Sequence, residues 1–225
     1  MKNVRLCRKN KRNAMSYEQM QNNRAYISGK VKTAPVFSHE ILGEEFFDIT
    51  VAVPRLSGQE DEIPVTVSDR LMKPAPPSIG DYIGVSGQVR SYNKVVEGKS
   101  KLILRVFARE TDCGDPDNPN TVELEGFVCK PPVYRTTPFK REICDLLLAV
   151  NRAYGKSDYI PAIAWGRNAR YAGEFSVGDR VSAVGRIQSR VYQKVLPDGT
   201  SEQRVAYEVS VSQIEKLPPL FSSSD

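Results

Sequence analysis

The chain repeats itself. Asn23 and Gly29 recur as Asn120 and Gly126, "PVF" from Pro35 as "PVY" from Pro132, "AVPR" (Ala52 to Arg55) as "AVNR" (Ala149 to Arg152), and "DEIPV" from Asp61 as "DYIPA" from Asp158. All of these sit at one offset, 120 − 23 = 97 residues, and after one inserted residue "GQVRSY" from Gly87 answers "GRIQSR" from Gly185. A duplicated unit has to fold twice in the same way, so any fold assigned to the chain must fit within one repeat and tolerate a neighbour of its own kind. Between the copies lies "ETDCGDPDNPN", whose Asp, Pro, Asn and Gly mark a turn-rich connection. The expected organisation is a basic extension over 1–22, a first unit over 23–112, a linker over 113–119, a second unit over 120–217 and a short tail over 218–225.

Each unit reads as strands. In the second, period-two alternation runs through "TVELEGFV", "EICDLLLAVN", "YIPAIAW", "RVSAVGRIQSR" and "RVAYEVSV", with Val122 and Leu124, and then Val205, Tyr207, Val209 and Val211, expected to point inward. The good helical candidate is short, "RNARYAGEF", between the third and fourth strands. Gly126 and Gly185 interrupt strands where a tightly coiled sheet needs bulges or bends. Five strands with one helix after the third is the layout of a partly open Greek-key barrel. The prediction is therefore an all-β chain of two tandem OB-folds, the second with a short helix between strands 3 and 4; a sandwich fits less well, because five strands are few for it. In the first copy the helix position holds "DRLMKPAPPSIGD", whose prolines argue against a regular helix there.

The net charge is +5, and the first 22 residues alone carry six Lys or Arg against one Glu. That leader reads either as an arm adding phosphate contacts or as a solubilising extension. No secretory signal follows it, and no apolar run approaches the ~20 residues that cross a bilayer. Four cysteines (Cys7, Cys113, Cys129, Cys144) lie scattered, without the close pairing of a zinc or dithiol site. A reduced cytoplasmic setting is expected, with no membrane partner and no metal or other cofactor.

The copies differ on one face. On the third strand the inward sets are Ile63, Val65 and Val67 in the first copy and Ile160, Ala162 and Ala164 in the second. The outward sets are Glu62, Pro64, Thr66 and Ser68 against Tyr159, Pro161, Ile163 and Trp165, so large aromatics stand at both ends of the second face. Tyr154 precedes that strand in "NRAYGKSD", and Tyr192 follows the fourth strand in "SRVYQKVLPDG". Arg186, Gln188 and Arg190 share a face at spacing two, Arg152 ends the second strand, and Arg135 joins the candidate set from the segment after the first strand. Aromatics beside a basic ridge suit single-stranded nucleic acid: unpaired bases stack on flat side chains while cations track the phosphates. Taken singly, each residue has a plainer reading, since Trp165 could fill a protein interface and the arginines could protect a sheet edge.

The second copy closely resembles the bacterial single-stranded DNA-binding proteins. The similarity runs through "GFVCKPPVYRTTPFK", "LAVNRAYGKSDYIPAIAWGRNARYAGEFSVGDRV" and "GRIQSRVYQKVLPDG". In that family stacking aromatics occupy the positions of Tyr154, Tyr159, Trp165 and Tyr192. The resemblance implies a non-enzymatic protein that coats single-stranded DNA in replication, recombination or repair. It also implies four barrels in total, hence a homodimer of this two-barrel chain. The family's acidic tip, which recruits repair and replication enzymes, has no counterpart in "KLPPLFSSSD". The first copy holds Ser57, Glu62, Ser68 and Lys94 at the stacking positions. It is expected to serve mainly as an assembly partner, with weak binding through Arg55, Arg90, Tyr92 and Arg105 as the alternative.

A second reading is a tandem-barrel scaffold similar to primosomal replication protein N, whose aromatic face grips a partner protein of a primosome or mobile element. Catalysis is not expected. His39 is the single histidine, no GxxxxGK[ST] loop is present, and Asp145 and Asp158 recur as Asp48 and Asp61, which suits structural hydrogen bonding.

Overall fold

The computed structural model describes residues 22–73, 75–96, 99–195 and 199–219. Nearly all of the basic leader, residues 220–225 of the tail and the Tyr154 side chain lie outside them.

The first copy contributes β1 (Asn23–Val31), β2 (Val36–Ile41), β3 (Glu44–Pro54), β4 (Glu60–Ser68), α1 (Asp69–Met72), β5 (Tyr82–Val96) and β6 (Lys99–Asp112). The second contributes β7 (Asn120–Val128), β8 (Val133–Thr136), β9 (Glu142–Asn151), a 3-10 turn (Ala153–Gly155), β10 (Ser157–Trp165), α2 (Arg167–Gly173), β11 (Arg180–Val195) and β12 (Ser201–Lys216). The wiring is the same twice. β1 pairs antiparallel with β3 and β5, β3 with β4 and β5 with β6, while β4 closes on β6 in parallel through Val65↔Val106 and Thr66↔Phe107. β7, β9, β10, β11 and β12 repeat this pattern, with Ala162↔Val209 and Ile163↔Ser210 as the parallel closure. These are two OB-folds.

Each copy has one strand more than expected. β2 and β8 are short edge strands, and all four residues of β8 are exposed, so no inward period announces them. α1 is a further departure: one helical turn forms before the proline-rich stretch begins.

The predicted inward sets of β4 and β10 are buried. Where the alanines of β10 leave room, α2 packs over the barrel and adds Ala169 and Ala172, with Phe175 just beyond it, to the core. Val209 and Val211 are buried and Tyr207 packs partly against them, but Val205 is exposed. Beyond Ser189 and Tyr207 the β11–β12 hairpin runs on as a two-stranded arm, carrying exposed Val191 and Val195, and Val205 stands opposite Val191 in that arm.

Gly185 lies at a bulge, as does its counterpart Gly87, whereas Gly126 and its counterpart Gly29 mark close approaches of two backbones. A Cβ on Gly29 would stand 2.0 Å from the Ala52 carbonyl oxygen. The repeated asparagines extend the ladders of β1–β5 and β7–β11, which end at Ala25↔Gly87 and Val122↔Gly185. Asn23 donates from Nδ2 to the Val89 carbonyl and accepts from its N–H, and Asn120 does the same for Ile187, so a side-chain amide stands in for the next backbone partner.

The barrels join through β1 and β7, antiparallel from Asn23↔Leu124 to Ile27↔Asn120. The central pair is Ala25↔Val122, and 25 + 97 = 122, so a local two-fold axis relates the copies. Two carboxylates bridge the seam symmetrically. Asp61 accepts from Arg55 of its own barrel and from the Ser189 N–H (2.7 Å) and hydroxyl (3.0 Å) of the other. Asp158 accepts from Arg152 of its own barrel (3.4 Å) and from Arg90 and the Ser91 N–H of the first (both 2.8 Å). Among the described residues no helix is long and apolar enough to cross a membrane.

Candidate nucleic-acid interface

Alternation along β10 turns Tyr159 and Trp165 outward, and they are 46% and 38% exposed. Ile163 shares their face but is buried. Trp165 donates from Nε1 to Ser210 Oγ on β12 (3.1 Å), which ties the indole to the sheet while part of the side chain stays exposed. The Tyr159 backbone N–H donates to Ser91 Oγ (2.7 Å), so the first barrel helps to hold this stacking residue in place. Tyr192 is half-buried on β11 with the Arg190 guanidinium over its ring, 5.7 Å from the centroid.

The basic ridge is less uniform than its spacing suggested. Gln188 is buried and donates from Nε2 to Glu208 Oε1 (2.9 Å), a carboxylate that also lies 3.7 Å from Arg190. Arg152 is held by Asp158, and Arg135 by Asp145 at 2.7 Å. Arg186 makes no ion pair or side-chain hydrogen bond among the described residues, and neither does Arg141, which sits in the turn before β9.

These side chains converge on a groove of about 440 Å³, lined by Trp165, Ser210, Gln188 and Ser189 and by four arginines, Arg55, Arg141, Arg186 and Arg190. A second groove continues from it past Arg186 and Ser210 to Asn120, Thr121 and Ser212. The floor is sheet and the walls are cationic. Such a channel can take an extended, flat, negatively charged chain, with an indole at hand for a base and guanidinium groups for phosphates.

Of the residues read from the sequence, Trp165, Arg186, Gln188 and Arg190 therefore meet in one groove. Tyr159 and Tyr192 are exposed or half-exposed on strands β10 and β11, Arg152 lies at the seam, and Arg135 is tied to Asp145 on the β8–β9 hairpin. Arg141 was missed, because it belongs to a turn, where alternation gives no face. Arg55 was expected only as a weak contact of the first barrel; its reach across the seam into this groove is a tertiary fact. Phe139, fully solvated at the tip of the β8–β9 hairpin, is a further aromatic near Arg141 that no period marks.

The first barrel presents a different surface. Its four expected cation and aromatic contacts are engaged within the molecule: Arg55 with Asp61, Arg90 with Asp158, and Arg105 with Asp48 while also lying over the Tyr92 ring. Burial pulls Arg90 below the ordinary guanidinium value, and the hydrogen bond to Asp158 opposes this. An aromatic has moved sideways by one strand. Thr66↔Phe107 occupies the register of Ile163↔Ser210, so Phe107 on β6 stands where Ser210 does, and Ser68 stands where Trp165 does. Phe107 is covered by Phe46 and by the Arg109 guanidinium at 5.2 Å.

Residues 119–217 match the model of the single-strand binding protein family. Among solved structures, the wild-type single-stranded DNA binding protein from Thermus aquaticus is similar, with 23% identity, a TM-score of 0.68 and 90% of this chain and 96% of that chain covered. A deletion mutant of the same protein gives the same identity and score, with 98% of its chain covered. The likeness extends over both barrels and shows the fold. The N-terminal domain of the PriB protein from Thermoanaerobacter tencongensis is 44% identical over 40% of this chain and 94% of its own, with a TM-score of 0.36. None of the curated proteins matches.

Proposed function

We propose that the chain binds single-stranded DNA without regard to sequence, as a binding protein rather than an enzyme; the match of residues 119–217 to the single-strand binding protein family model supports this reading. Bases stack on Tyr154, Tyr159, Trp165 and Tyr192, each stack contributing ~1–3 kcal/mol. Arg141, Arg186 and Arg190 follow the phosphates, with Arg152 at the edge of the path. The observation that carries this reading is the open groove in which exposed Trp165 stands among guanidinium groups, two of them without side-chain partners among the described residues. A groove that only supported the fold would have its cations matched by carboxylates, as Arg90 and Arg105 are in the first barrel.

On this reading residues 120–217 are the main binding unit and residues 23–112 chiefly an assembly partner, since Arg90 and Arg105 of the first barrel are matched by carboxylates and its strand face carries no stacking set. A second copy of the chain would bring the barrels to four. The setting is cytoplasmic, in replication, recombination or repair. The test is the fluorescence of the single tryptophan during titration with oligo-dT at low and high salt. Quenching should saturate at a fixed nucleotide ratio, and log K should fall with log[salt] by ~0.7 per phosphate neutralised. Unchanged emission from folded protein would instead make the aromatic face a protein interface, the scaffold reading.

A further inference from the structure

We infer that the DNA groove of the second barrel is completed by the first, with Arg55 as a phosphate-binding residue reaching across the seam. The inference rests on the function proposed above and adds a residue that the family match, confined to 119–217, does not cover.

Arg55 ends β3 and opens a tight loop, in which its N–H donates to the Gln59 carbonyl (2.7 Å) and its carbonyl accepts from the Gly58 N–H (3.0 Å). Its guanidinium is fixed on two sides. Nε donates to Asp61 (2.7 Å), and Nη2 donates to Asp61 and to the Ser189 carbonyl of β11 (2.8 Å). Nη1 has no partner among the described residues, and the side chain, 20% exposed, lines the groove beside Arg186 and Arg190. A guanidinium held by a buried carboxylate, in a side chain that lines a cationic channel and with one nitrogen unpaired among the described residues, is prepared for a phosphate oxygen. Little side-chain freedom is lost on binding.

The counterpart Arg152 does not do the same. Asp158 is shared between Arg152 and Arg90, and Arg152 lines neither groove. The local two-fold of the seam is therefore broken in function. One arginine of the repeated pair faces the channel, and it comes from the barrel without the exposed tryptophan.

The test uses the full chain and oligo-dT over a salt series. Arg55→Gln should weaken binding about tenfold and make the log K against log[salt] slope shallower by ~0.7, one phosphate contact. Asp61→Asn loosens the same seam but keeps the guanidinium, and its slope should stay that of the wild type. An Arg55→Gln slope equal to wild type, or equal slope losses in both variants, would overturn the inference. Should either variant fail to fold, a benzophenone side chain at fully exposed Leu56 should photo-crosslink to bound oligo-dT. No adduct, under conditions where Trp165 is quenched, would also overturn it. Absence of any oligo-dT binding by the wild type would sink the proposed function itself, which separates the two failures.

Discussion

Trp165 is the side chain on which most of the candidate site turns, and its environment sets what a substitution should do. One edge is hydrogen-bonded to Ser210, and Trp165 is not part of the buried core cluster. Trp165→Ala should therefore leave the unfolding midpoint nearly unchanged while weakening oligo-dT binding by ~1–3 kcal/mol, and Trp165→Phe should recover most of the loss. Fluorescence anisotropy of labelled DNA would measure both variants. A large fall in stability without loss of binding would place Trp165 in the architecture instead. At this scale the sequence was informative where a residue's face follows from its own strand, as for Tyr159 and Trp165. It was silent where the neighbour decides. Gln188 lies on the predicted row, yet Glu208 on the adjacent strand keeps it buried, and no spacing along β11 carries that information.

Among the elements, the strands close into barrels at points where two backbones touch. Gly29 is one of them: a methyl group there would meet the Ala52 carbonyl oxygen at 2.0 Å, too close for any rotamer to relieve. Gly29→Ala should therefore destabilise the chain by ~1–3 kcal/mol, read as a lower urea midpoint, although the substitution in an open strand would ordinarily be harmless. The repeat drew attention to these glycines, and period-two patterning found the inner strands. It failed on β8, which has no buried face, and on Val205, where apolar alternation continues into an arm whose valines are exposed. In both cases the pattern reports the preference of a strand, while burial depends on whether a second layer lies opposite.

For the molecule as a whole, the seam matters most. Burial alone would raise the Asp61 carboxyl, but hydrogen bonds from Arg55 and Ser189 outweigh it, and the group is held below the ordinary carboxylate value. A depressed value in the folded state means stability that is present above the unfolded value of ~3.9 and is lost as the pH falls toward the folded one. The wild-type midpoint should drop through that acidic range. Asp61→Asn, less stable by about 3 kcal/mol at pH 7 because Arg55 loses its buried counter-charge, should lack this part of the pH dependence. Equal acid profiles for the two proteins would remove Asp61 from the account. The duplication made two like barrels legible, but not their docking through β1 and β7, since an edge strand that pairs with its own repeat looks like any other strand.

That docking sets an order of events during synthesis. The first barrel is complete at Asp112 and β7 ends at Val128, 128 − 112 = 16 residues later, so at ~5–20 residues per second the barrel waits on the order of 1–3 s with the β1 edge uncovered. Because Ala25 pairs with its own repeat equivalent, the best available substitute for the missing strand is β1 of another nascent chain. Neighbouring ribosomes on one message bring such edges together, so correct assembly is a race between the arrival of β7 and an encounter between siblings. Slowing translation of residues 113–128 should shift the product from single chains toward pairs joined at their first barrels.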